Sequence, residues 1–307
     1  MNFCNFIQQR LRADDFQMPP HRQAVAVVCK QKKQRTRNKK IMIENKKIYY
    51  PSSGQSWGIV GIAILSMLLF SPVYLILNKV LGKEISFLVY YLLAMGVPFG
   101  IAHLIRNKRT GINTYNFSFS SLKIMALVSI SMIAIQTGVI LPIVNSLPMP
   151  EFMQKIFLEF ENQNGIFSFI AIVIAAPIIE ELIFRGIILN GLLQRYSPIK
   201  SIILSSILFG IVHLNPWQFI SALIIGVFSG WVYYRTRKIS LSILIHLVNN
   251  LVAFVGMYFM DAETMMNESL TELYGGFTNL ILITIGAILV SILGIFLLRK
   301  EFSALQK

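Results

Sequence analysis

The chain has 307 residues, of which 55% are apolar and 14% charged, and its mean hydropathy is +0.63. Soluble domains carry about 25% charged residues, so the composition excludes an ordinary soluble enzyme and points to an all-α helical bundle in lipid. The formal net charge is +14, from 28 Lys and Arg against 14 Asp and Glu. On a soluble protein that excess would suggest nucleic acid; here its placement decides.

Much of it sits at the front. Residues 1–50 hold twelve Lys and Arg against Asp14, Asp15 and Glu44. The run from Lys30 to Lys40 has no interleaved aromatic and no helical period, so it reads as a solvated tail drawn to anionic lipid, not as a nucleic-acid arm. Met42 opens a short polar leader, and a start there would make residues 1–41 a non-native extension. The apolar stretch 24–28 is too short for a secretory signal. Cys4 and Cys29 both lie in this tail, which leaves the body without disulfides, thiolate metal sites or a cysteine nucleophile.

After the tail (1–56), apolar stretches of span length fall at roughly 57–78, 86–105, 121–145, 166–193, 198–214, 217–234, 239–258 and 277–298. These predict a polytopic bundle of about eight transmembrane helices. The fifth is short and is divided from the sixth only by Asn215-Pro216. Between the third and fourth, residues 146–165 form an outer loop, in which Phe152, Ile156, Phe157 and Phe160 suggest an interfacial helix over 150–161. With both termini cytoplasmic, every Lys and Arg except Lys79, Lys83, Lys155 and Arg185 falls on the inner face, as the positive-inside rule requires. The expected location is the cell membrane, with multiple passes.

Ionisable groups inside spans cost at least ~2.5–3.5 kcal/mol each near the centre, so each one needs a reason. They are His103, Glu180, Glu181, Arg185, His213 and His246, with Asn249 and Asn250 as the notable amides. His103 lies one turn from Arg106 and snorkels to the interface. Glu181 and Arg185 stand one helical turn apart, acid first, which predicts an internal ion pair. Glu180 points about 100° away without a sequence-local partner, a suitable position for a general base. His246 and Asn250 share a face at i, i+4. At ~1.5 Å per residue, Glu180 and His213 lie at similar depth, with His246 and Asn250 somewhat shallower. Three helices can therefore bring an acid, two imidazoles and an amide to one cavity in a core spanning 166–258, able to activate water and stabilise an oxyanion.

Residue types exclude other intramembrane protease chemistries. His-Glu-x-x-His is absent, and the three aspartates (Asp14, Asp15 and Asp261) lie outside spans. Gly226-Val227-Phe228-Ser229-Gly230 misses the Gly-x-Ser-Gly pattern, and its small residues suit close helix packing.

Glu180-Glu181-x-x-x-Arg185, then Phe209-x-x-x-His213, then His246-x-x-x-Asn250, in that order on membrane spans, resembles the CPBP (Abi) intramembrane proteases. That family includes the type II CAAX prenyl endopeptidase and the lysostaphin-resistance-like proteins. Pro177 and Phe184-Arg185-Gly186 match its extended first motif. The resemblance covers roughly 165–255. It implies that Glu180 and His213 activate the attacking water, that His246 and Asn250 stabilise the oxyanion, and that Glu181 and Arg185 support them. The implied substrate is a peptide or protein at the membrane. A metal-free, glutamate-activated water is the favoured reading, because Asn250 is a poor zinc ligand and a good oxyanion donor. A Zn2+ site of Glu180, His213 and His246 is the alternative. Two other functions stay open on sequence alone: a non-proteolytic immunity or maturation factor, and a small proton-coupled transporter using Glu180 and His213.

Overall fold

A computed structural model describes residues 49–155, 165–259 and 269–304, with isolated positions 28, 31, 34 and 35. Residues 1–48 and residues 49–307 are separate units; the basic tail, most of the interfacial stretch and the acidic loop 260–268 lie outside the described residues.

Among the described residues, apolar sequence between capping residues gives eight helices of 14 residues or more. They are α1 (Ser53–Leu81), α2 (Lys83–Thr110), α3 (Leu122–Asn145), α4 (Ile166–Leu192), α5 (Pro198–Ile211), α6 (Pro216–Thr236), α7 (Ile239–Phe259) and α8 (Phe277–Ala304). Ser52 closes a capping box with Gln55 ahead of α1, and Ser121 caps α3. α2 stops at Gly111, whose φ of 70° is the left-handed conformation that glycine adopts without strain. There are no strands among the described residues. The chain is an all-α, multi-pass membrane protein.

Seven of these helices are long and apolar enough to cross a membrane. The exception is α5, the fifth stretch of the sequence reading. Its 14 residues span about 21 Å, short of a hydrocarbon core of about 30 Å. It ends because the backbone leaves helical geometry at Leu214, with φ of 58°, and Asn215 and Pro216 then start α6.

Long-range contacts sort the connections into two ends. At one, Arg195 donates to the Tyr49 carbonyl, Lys123 pairs with Glu301, Arg235 donates to Ser303, and Lys238 donates to the Phe119 carbonyl. At the other, Glu84 accepts from the Gly165 amide and Trp217 reaches the Leu147 carbonyl. The basic loops assigned to a single face thus gather at a single end of the bundle.

α1 packs on α2, α5 on α6 and α3 on α8, while α7 lies between α3 and α4. α8 turns Leu282, Leu289 and Phe296 outward, as a lipid-facing helix should. α4 is the opposite case: every residue of Leu182–Leu189 is buried. α4 is also irregular, with π-helical turns at Ile170–Ala175 and Leu182–Leu189 on either side of α-helical Ala176–Glu181. Such bulges rotate the residues between them out of the regular helical register and cluster at functional sites.

Candidate active site

The α-helical segment between the two π turns carries both glutamates, each buried. Glu181 is fully enclosed. Its Oε1 accepts from Arg185 Nη1 at 2.7 Å, the predicted one-turn pair. The same oxygen lies 3.1 Å from His246 Nδ1, and Oε2 accepts from the Ser229 hydroxyl at 3.1 Å. Three side chains, from α4, α6 and α7, thus converge on one carboxylate. Arg185 is 1% exposed and its guanidinium carbon lies over the Phe209 ring, 4.6 Å from its centroid.

Glu180 faces elsewhere, as its 100° offset predicts. Its Oε1 accepts from the Tyr91 hydroxyl of α2 at 2.6 Å. Its Oε2 is buried and has no hydrogen-bond partner, and it stands 4.0 Å from His246 Nε2. A carboxylate oxygen held in a span without a donor is costly. His246 therefore sits between the two glutamates, one imidazole nitrogen toward each.

His213 takes a different place. It lies on the turn beyond α5, half-buried, and its Nδ1 is 2.9 Å from the Phe209 carbonyl. A carbonyl only accepts, so Nδ1 carries the hydrogen, and in the neutral ring Nε2 keeps its lone pair. The Phe209 ring stands edge-on to both imidazoles, with centroids 5.3 Å from His213 and 5.4 Å from His246. The structure puts His246 beside Glu180 and joins His213 to the group through Phe209.

Asn250 lies one turn beyond His246 on α7, and the register of α4 explains its contact. In the π turn, the Ala176 amide bonds to the Ala171 carbonyl five residues back. The next donor in that register would be residue 177, which is proline and has no N–H. The Ile172 carbonyl is left over, and Asn250 Nδ2 donates to it at 2.8 Å. Asn250 Oδ1 accepts from Asn249 Nδ2 at 3.2 Å. Asn249 is the more buried amide, and its Oδ1 has no partner.

Among the described residues, no three His, Cys, Asp or Glu side chains form a group able to hold a metal ion.

Residues 162–252 match the family model described as type II CAAX prenyl endopeptidase Rce1-like. This stretch is Rce1-like. It contains Glu180, Glu181, Arg185, His213, His246 and Asn250, while Tyr91 falls outside it. A Bacillus subtilis protein named "Putative membrane peptidase YdiL" is 33% identical over 100 residues, covering 30% of this chain and 41% of that protein. An uncharacterized 24.3 kDa protein of Escherichia coli is 29% identical over 107 residues, covering 33% of this chain and 49% of that protein. The chain spans under half the length of these curated relatives. No solved structure matches it.

Neither Tyr91 nor Ser229 is given a role at the site by the sequence. Tyr91 is a neutral phenol in an apolar span 89 positions from its partner, and a search for ionisable groups passes over it. Ser229 lies in the small-residue stretch that suits helix packing; it packs and also donates to Glu181.

Proposed function

We propose that the chain is an intramembrane endopeptidase of the CAAX prenyl protease type, acting on a membrane-associated peptide or protein at the cell membrane. The observation that carries the reading is the buried Glu180 carboxylate, whose Oε2 has no partner and faces His246. A membrane protein retains such a group only for a reason.

In the proposed reaction, Glu180 Oε2 accepts a proton from a water, whose oxygen attacks the scissile carbonyl carbon. His213 Nε2, left as a lone pair by the Phe209 carbonyl, is available to assist at the same stage. His246 donates Nδ1–H to Glu181, which fixes its ring as a carboxylate orients the histidine of a serine protease. With Arg185 against Glu181, one proton held between His246 and Glu180 leaves the buried group without net charge. Carried on His246 Nε2, that proton can donate to the oxyanion of the tetrahedral intermediate. An asparagine amide has two N–H groups, so Asn250 keeps one for the same oxyanion while the other holds Ile172. Collapse of the intermediate breaks the C–N bond, and the proton taken up by Glu180 passes to the leaving amine. Glu181, Arg185 and Ser229 position His246, and Tyr91 positions Glu180.

The test is Glu180→Gln in the full-length protein, reconstituted with a peptide substrate library. Hydrolysis should fall at least about 100-fold, the usual contribution of a positioned base, with unchanged thermal unfolding. Full hydrolysis by the Gln variant would overturn the mechanism. A biological phenotype that survives the substitution would favour a non-proteolytic immunity or maturation factor.

A further inference from the structure

Away from the glutamates, a cavity of about 470 Å3 opens where the α2 terminus, the 112–116 segment, α4 and the α6–α7 turn meet. It belongs to the end of the bundle where the basic loops gather. Two guanidinium groups, Arg106 and Arg237, line it together with Asn190, Gln194 and Tyr233, and none of its lining residues is acidic.

Arg106 is the unusual member. It is 3% exposed, yet none of its contacts is an anion: Nη2 donates to the Thr114 carbonyl at 2.7 Å and the guanidinium lies 4.4 Å from the Tyr115 ring centroid. Nη1 is buried with no partner. A carbonyl and a ring face only partly replace the hydration a buried cation gives up. The opposite wall is built to bring that ring close. A Cβ on Gly186 would come within 2.8 Å of the Tyr115 ring, so only glycine lets Tyr115 lie against α4.

We infer that this cavity binds a phosphate-bearing anion, the phosphodiester of an anionic lipid headgroup at the membrane face. Planar guanidinium forks match phosphate oxygens in pairs, and the amides of Asn190 and Gln194 and the Tyr233 hydroxyl add neutral donors. The volume lies in the range of small-molecule sites, about 300–1,000 Å3, and exceeds what a phosphate ion alone fills. A zwitterionic headgroup is disfavoured, because its ammonium would meet two arginines and no carboxylate. A free phosphate ion has the same recognition chemistry and is distinguished by experiment.

The experiment titrates the full chain, purified in neutral detergent, with short-chain phosphatidylglycerol and separately with inorganic phosphate, short-chain phosphatidylcholine and acetate, following thermal unfolding. Phosphatidylglycerol should raise the midpoint saturably, with phosphatidylcholine and acetate without effect. Arg237→Gln, an exposed position, should weaken the apparent affinity at least tenfold and leave the ligand-free midpoint unchanged. Arg106→Lys keeps a charge but loses the fork and should weaken it too. Saturation by phosphate at equal affinity would assign the site to the free ion and overturn the headgroup. An equal response to phosphatidylcholine or acetate, no saturable response to phosphatidylglycerol, or variants that bind as the native protein does would overturn the site itself.

Discussion

Asn250 and Pro177 form a pair that stability measurements can isolate. The Ile172 carbonyl accepts from Asn250 Nδ2 because the residue that would supply the next π-register amide is a proline. Asn250→Ala should therefore leave a part-buried carbonyl without a donor. A fully orphaned polar group costs about 1–3 kcal/mol, but side-chain hydrogen bonds between membrane helices average about 0.6 and reach about 1.7 kcal/mol, because the unfolded state in the membrane also finds partners. The lower scale applies to a carbonyl inside a span, so we expect a loss of about 1 kcal/mol. Pro177→Ala restores an N–H in the same register. In that background Asn250→Ala should cost less, with a coupling of at least about 0.5 kcal/mol. The assay is a double-mutant cycle on reversible unfolding in mixed detergent micelles. If the cost of Asn250→Ala is the same with and without Pro177, within the usual additivity error of about 0.3–0.5 kcal/mol, the account of the α4 register is wrong.

Other substitutions follow from the same geometry. Arg185→Met removes one member of a buried ion pair and leaves Glu181 uncompensated; a loss of about 3–5 kcal/mol is expected, read as a lower unfolding midpoint. Tyr91→Phe removes the hydrogen bond to Glu180. A bond to a charged acceptor is worth about 1.5–3 kcal/mol, so turnover should drop roughly 10- to 100-fold at nearly constant KM, and an unchanged rate would remove Tyr91 from the mechanism. Gly226→Ala places a Cβ 2.8 Å from the Ser206 Cβ and 3.0 Å from its Cα. Overpacking of this kind costs about 1–3 kcal/mol and should loosen α5 from α6, visible as faster amide exchange along α5.

What the sequence made legible was whatever repeats along a single helix. The apolar stretches locate all eight helices, and the one-turn spacing of Glu181 and Arg185 is the ion pair itself. The order of the three motifs also agrees with the Rce1-like match over 162–252. What it hid depends on register and on neutral groups. The two π turns of α4 leave no mark in the apolar pattern, so the amide of Asn250 appeared free for an oxyanion when half of it holds the Ile172 carbonyl. Tyr91 and Ser229 carry no charge, and nothing local ties them to glutamates 89 and 48 positions away. His246 and His213 are equivalent as letters; only the packing of α7 against α4 decides which one meets the carboxylates.

The short α5 ties these features to function. A helix that stops inside the hydrocarbon region exposes backbone groups that lipid cannot satisfy, so non-helical chain is tolerated there only if protein or water supplies partners. Here the protein supplies several: Asn215 Nδ2 donates to the His213 carbonyl at 3.0 Å, Asn215 Oδ1 accepts from the Gln218 amide at 2.8 Å, and the amides of His213 and Leu214 return to Gly210 and Ile211. Gly210 permits the tight return, since a Cβ there would come within 2.9 Å of the Phe219 carbonyl oxygen. A span of ordinary length would have carried residue 213 within a continuous helix, packed like its neighbours. Stopping at Ile211 instead places His213 on a half-buried turn with Nε2 uncommitted, while Phe209, one turn earlier, stays buried against Arg185 and His246. One imidazole is thus sealed among charges in the bundle and the other is left half-buried on a turn. That is the division the proposed hydrolysis calls for, because the reactant that lipid excludes is water.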